Sequence, residues 1–237
     1  MLAEFVQKIV DLRKTETFEI NGQTYSDRDL TRIPPHVDRP RSIEVNSLDS
    51  ICKLIKKEIV KFDVPIFVQV SKHNQVDVFT GYLPDYSRNH LYTACADVPG
   101  FENGWRDREK AIIEIRSLLV PNDDTAYLLS LLSSISDENK VTTKDNGVTQ
   151  AVTVNSGIAL AKNETVRPRV KIIPFRTFLE VAQPESEFIL RVDEQGRIGF
   201  FAADGGVWKL EAKQNIAKYL EEKLSELVKT GAVVVMK

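Results

Sequence analysis

RPRVKIIPFRTFLEVAQPESEFILRVDEQGRIGFF (Arg167–Phe201) is the stretch that decides the fold class. Its apolar and β-branched residues come in short runs at Val170 to Ile173, Phe175 to Val181, Phe188 to Val192 and Ile198 to Phe201. Pro184-Glu185 and Gln195-Gly196 punctuate them as turns do, so the pattern predicts an antiparallel meander. Just beyond it, Asp204-Gly205-Gly206 breaks the β pattern and a long amphipathic helix follows. Leu210, Ile216, Ala217, Leu220, Leu224 and Leu227 form its inward side and Thr230-Gly231 closes it. The terminal AVVVM run can supply a last strand.

Toward the N-terminus, Asn122-Asp123-Asp124 places a cap and dipole-matched acids ahead of a short leucine-rich helix, Tyr127 to Ile135. The segment SDENKVTTKDNG after it is too polar to pack and reads as a loop, with residues 137–147 the candidate mobile element, before an alternating strand at Val148 to Val154. Asp107 to Val120 fits a helix or a buried strand equally. Pro65 to Tyr82 and Leu91 to Ala96 read as β, with Lys72-His73-Asn74 as a turn. Ser47 caps a helix with Leu48, Ile51, Ile55, Ile59 and Phe62 on one side and lysines on the other. Before it lie the proline connector IPPHVDRPR, an Asn21-Gly22 hairpin, and an opening helix whose Leu2, Phe5, Val6 and Ile9 should pack against something larger. The expectation is an α+β fold: a central antiparallel sheet faced by the Ser47 helix and the long C-terminal helix. Residues 1–40 form an N-terminal portion and 41–237 the main domain, or both belong to one domain.

With 237 residues, 42% of them hydrophobic and 28% charged, the chain can build a core without disulfide or metal staples. Thirty-two basic residues stand against 34 acidic ones, so any nucleic-acid site must be a local patch. No apolar run is long enough to cross a bilayer or serve as a signal sequence, so a cytoplasmic protein without a membrane partner is expected. Cys52 and Cys95 read as buried thiols.

The stretches FEINGQTYSD, DNGVTQ, RTFLEVAQPESEFILR and ADGGVWKLEA together resemble a family of uncharacterised phage and prophage proteins, found mainly in bacteria with Gram-positive envelopes and usually encoded among early genes. The resemblance spans nearly the whole chain. It implies a viral, intracellular setting and supplies no catalytic residues.

Chemistry-bearing motifs are sparse. His36, His73 and His90 are scattered, no paired-ligand spacing points to a metal, and neither a GxSxG elbow nor a Walker A loop is present, so no cofactor is expected. Asp204-Gly205-Gly206 has two readings: backbone N–H groups offered to an anion beside a carboxylate, or a sharp turn capped by Asp204. Period-two geometry puts Arg176 and Glu180 on one strand face, with Arg191 diagonal to both across the Pro184 turn. That trio can grip a phosphate or form cross-strand salt bridges. Arg167, Arg169, Lys171 and Arg176, interleaved with Phe175 and Phe178, have the composition that stacks single-stranded nucleic acid. Trp105, in the glycine-rich GFENGWRDRE loop, is either an exposed anchor or a partly buried ring. The resemblance and the absent motifs together imply a non-enzymatic binding protein of a phage, a homo-oligomer engaging a host factor, a defence-signalling nucleotide or a nucleic acid. The alternatives are a single-strand-binding accessory of replication or recombination, and a metal-dependent phosphodiesterase or nuclease using Asp204.

Overall fold

The computed structural model describes residues 2–11, 15–29, 32–33, 39–134, 140–145, 150–156 and 159–237. Along the chain run α1 (Leu2–Asp11), β1 (Thr17–Ile20), β2 (Gln23–Ser26), β3 (Arg32–Ile33), β4 (Ile43–Val45) and α2 (Leu48–Glu58). Next come β5 (Ile66–Lys72), β6 (Gln75–Thr80), β7 (His90–Cys95), β8 (Gly104–Arg106), α3 (Arg108–Leu118) and α4 (Asp123–Ser134). The rest are β9 (Lys140–Asp145), β10 (Gln150–Ser156), β11 (Ala159–Val166), β12 (Arg169–Ile172), β13 (Ser186–Val192), β14 (Ile198–Ala202), α5 (Trp208–Lys223), α6 (Ser225–Lys229) and β15 (Val233–Met236).

The α+β class holds, but its arrangement differs from a single central sheet. Among the described residues there are four sheets, and the two largest each have a core. A five-stranded mixed sheet runs β15-β5-β6-β7-β4, and the four-stranded antiparallel meander runs β12-β13-β14-β8. The two predicted helices cover the mixed sheet, not the meander. Leu48, Ile51 and Ile55 of α2 and Ile216, Ala217 and Leu220 of α5 share a core with Ile66, Val68, Val70, Val76 and Val78. Pairing explains it: β15 lies parallel to β5 and β4 parallel to β7, and parallel neighbours need crossover connections that helices supply. The meander instead buries Val170, Ile172, Phe188, Leu190 and Phe200 against Ala111, Ile115, Leu128, Leu131 and Leu132 of α3 and α4. The ambiguous segment at 107–120 is therefore a helix.

Local chemistry accounts for the ends. Ser47 Oγ accepts from Ser50 N at 3.2 Å, and Asn122 and Thr125 exchange reciprocal side-chain bonds at 2.8 Å ahead of α4. Asn21 and Gly22 take φ of 52° and 72°, the left-handed pair that the hairpin turn requires.

Four expectations are corrected. Phe175 to Val181 is not a strand: Pro174 brings no donor, and Gln183 satisfies the loop backbone in place of a ladder. Its Oε1 accepts from Arg176 N (2.9 Å) and Thr177 N (3.1 Å), and its Nε2 donates to Phe178 O (3.0 Å). Part of the polar candidate loop, Lys140–Asp145, is instead a strand in register with β10, because pairing satisfies its backbone whatever its side chains; residues 137–139 and 146–147 lie outside the described ones. Cys95 is exposed while Cys52 is buried, since Cys95 points away from the core at the end of β7. Leu210 is exposed because the inward stripe of α5 begins only at Ala212. The proline connector at 34–38 and His36 lie outside the described residues.

Candidate nucleic-acid interface

Alternation along the meander sorts its side chains into two faces. The inward face meets α3 and α4. On the outward face, register sets Arg169, Ile189 and Phe201 in one row and Arg191, Gly199 and Trp105 in the next, with Lys171 opposite Glu187. Trp105 is 43% exposed and packs edge-on to Phe201 with ring centroids 5.8 Å apart. Gly199 makes this possible: a Cβ there would lie 2.7 Å from Phe201 Cε2 and 3.0 Å from Trp105 Cε3. The rings thus close over a bare stretch of backbone and leave aromatic surface toward solvent.

Cations share this face of the sheet with the pair. Arg169 pairs with Glu187 at 2.8 Å, Lys171 with Glu185 at 3.3 Å, and Arg197 with Asp193 at 2.7 Å, while the Arg197 guanidinium stands 5.9 Å from the Trp105 ring. Arg191 donates to Leu190 O at 3.2 Å. Exposed ion pairs of this kind contribute little, so their cations can exchange a carboxylate for a phosphate at small cost.

The other sequence candidates go elsewhere. Phe178 is 1% exposed and fills the core of the mixed sheet, so its ring cannot meet a base; the stacking surface comes from Trp105 and Phe201. Glu180 accepts from Leu48 N at 2.8 Å and so caps α2 instead of facing Arg191. The Arg176–Glu180–Arg191 trio is therefore not assembled, because 176–180 is not a strand and Arg191 stands five residues along β13 from Ser186. Arg167 pairs with Asp124 at 2.9 Å and stacks on Tyr127 at 4.2 Å.

Arg176 and Asp204 are linked through Ser186. Arg176 donates to Ser186 Oγ at 2.6 Å, and Ser186 donates to Asp204 Oδ2 at 2.8 Å. The guanidinium lies 3.8 Å from the Trp208 ring centroid, whose edge meets His73 at 4.7 Å. Burial pushes Arg176 down to about 10, against the pull of Asp204 and Glu211. Burial also lowers His73, with Lys209 and Arg176 adding to the effect. For Asp204 burial acts upward, but the Gly206 N–H, Ser186 and Arg176 outweigh it and hold the carboxyl below its usual range.

Most amides of the glycine turn bond within it. Gly205 and Gly206 take φ of 61° and 84°. Gly206 N donates to Asp204 Oδ1 (3.0 Å), Val207 N to Asp204 O (3.2 Å), Lys209 N to Gly206 O (3.0 Å) and Leu210 N to Val207 O (2.9 Å). Those amides are used inside the turn, which Asp204 closes through Gly206 N; the residue before α5 is Val207, and no side chain caps the helix there, so the sharp turn is present without the Asp204 cap.

Sequence reasoning placed Trp105 in a loop; it lies in β8, a three-residue strand that pairs with β14 from a distance of 92 positions or more. Phe201 and Gly199 went unrecognised as site residues, although period two in GRIGFF already sets them on one face.

Among known proteins, no family model, curated protein or solved structure matches this chain. Among the described residues, no three His, Cys, Asp or Glu side chains converge as a metal site, and no helix is long and apolar enough to cross a membrane.

Proposed function

We propose that this chain is a non-enzymatic binding protein that takes single-stranded nucleic acid on the outward face of its meander. The observation that carries the reading is the pair of exposed Trp105 and half-buried Phe201 over Gly199, on the same outward sheet face as Arg169, Lys171 and Arg191 and with Arg197 beside the Trp105 ring. Bases stack on such rings whatever their sequence, and guanidiniums and an ammonium around them meet the phosphates. Glu185, Glu187 and Asp193 leave the patch only weakly cationic, so affinity rests on stacking and falls modestly with salt. A phage setting belongs to the same proposal, with the sequence resemblance as its only support.

Fluorescence anisotropy with labelled single- and double-stranded oligonucleotides tests it. Single strands bind preferentially, with a log–log salt slope no steeper than about −3, given four cations at roughly −0.7 each. Trp105→Ala weakens binding by about 1–3 kcal/mol, and Arg191→Ala makes the slope shallower. Equal binding by wild type and a Trp105→Ala/Phe201→Ala double variant sinks the reading, as does no binding at low salt.

A further inference from the structure

The opening helix has the apolar stripe its sequence predicts, yet the described side chains of that stripe are largely exposed. Phe5, Val6 and Ile9 of α1 are 64%, 52% and 45% exposed. A ten-residue helix is marginal in water unless its apolar face is packed. The mixed sheet has the converse feature. α2 and α5 cover one face, while the opposite face carries an open hollow of about 350 Å³ lined by Phe67, Gln69, Phe79, Arg88 and Met236. Phe67 and Phe79 are direct cross-strand partners, and Val234, 38% exposed, is the partner of Phe67 on its other side.

We propose that α1 of a second copy of this chain docks in this hollow, and that the exchange is reciprocal. Every copy carries both surfaces, so a two-fold arrangement satisfies each twice. Charge agrees with the fit. Among the described residues lining the hollow Arg88 is the only charged one, its guanidinium held 4.7 Å from the Phe67 ring and 4.2 Å from the Tyr82 ring. The helix LAEFVQKIVD carries Glu4, Lys8 and Asp11, a net negative charge. The same count argues against a lipid surface, because interfacial helices present several cations on the polar face and α1 presents only Lys8.

Complementation in the full-length protein tests the exchange. Wild type is expected to be a dimer by light scattering at tens of micromolar. Phe5→Asp removes the helix stripe and Met236→Asp spoils the hollow, each raising the dimer dissociation constant at least about tenfold. An equimolar mixture of the two recovers dimers, because one helix and one hollow remain intact in each mixed pair. A monomeric wild type overturns the proposal. A mixture that stays monomeric does so too, pointing to docking within one chain. Vesicle co-sedimentation that Phe5→Asp abolishes, with dimer mass unchanged, assigns the stripe to a membrane instead. Unchanged circular dichroism of both variants excludes unfolding as the cause of lost dimer.

Discussion

Gly199→Ala is the sharpest perturbation of the proposed interface. The backbone there is not in the left-handed region, so the substitution tests space alone. The new methyl would stand 2.7 Å from Phe201 Cε2, and 3.0 and 3.1 Å from Trp105 Cε3 and Cζ3. Carbon contacts relax at about 3.5 Å, so the Phe201 ring must retreat by roughly 0.8 Å and Trp105 by about 0.5 Å. Both are ring atoms at the partly solvated end of a side chain, and such rings can swing. The stability cost is therefore expected at the low end of overpacking, about 1 kcal/mol, where a rigid core would lose up to about 3. The geometry of the aromatic pair should nevertheless be lost. In a Trp208→Phe background Trp105 is the sole tryptophan, so its near-ultraviolet dichroism reports the T-shaped contact directly. Loss of that band, a urea midpoint close to the parent, and nucleic-acid affinity reduced as much as by Trp105→Ala are the expected results. An unchanged band, or a stability loss above about 3 kcal/mol, would refute the reasoning that these rings close over Gly199 from a yielding surface.

Three further outcomes follow from the packing. Phe178→Ala should cost about 3–5 kcal/mol in urea denaturation, because the ring is fully buried in the core of a sheet its own segment does not belong to. Glu180→Ala should cost about 1 kcal/mol by the same measurement, since it strips the amides of Leu48 and Asp49 of their acceptor, while Glu180→Gln costs less. Lowering the pH should destabilise the fold through His73. Its folded pKa lies below 6.5, so the unfolded chain takes the proton first; the contribution is complete above 6.5 and is lost as pH falls through the lower folded value. Urea midpoints at pH 7.5 and 5 should differ less in His73→Gln than in wild type.

The hairpin at Asn21-Gly22, the caps at Ser47 and Asn122 and the Asp204 turn were legible because each is written in nearby residues, the hairpin in two that tolerate positive φ and the others in side chains that bond local backbone. Period two likewise disclosed the meander strands and put Arg191 on an outward face. Phe175 to Val181 has the composition of a strand, and only Gln183 folding back onto that backbone shows why it is a loop. Trp105 was a candidate anchor in the sequence, but its place beside Phe201 comes only from β8 joining β14 across more than 90 residues. Sequence alone thus determined the class, most elements and which residues punctuate them, since propensity, capping and periodicity are short-range. Which sheet each helix covers, where Phe178 is buried and which aromatics share a face with the arginines were decided by tertiary structure. Those outcomes depend on long-range pairing, whose loop-closure cost and packing gain leave no mark in any local stretch.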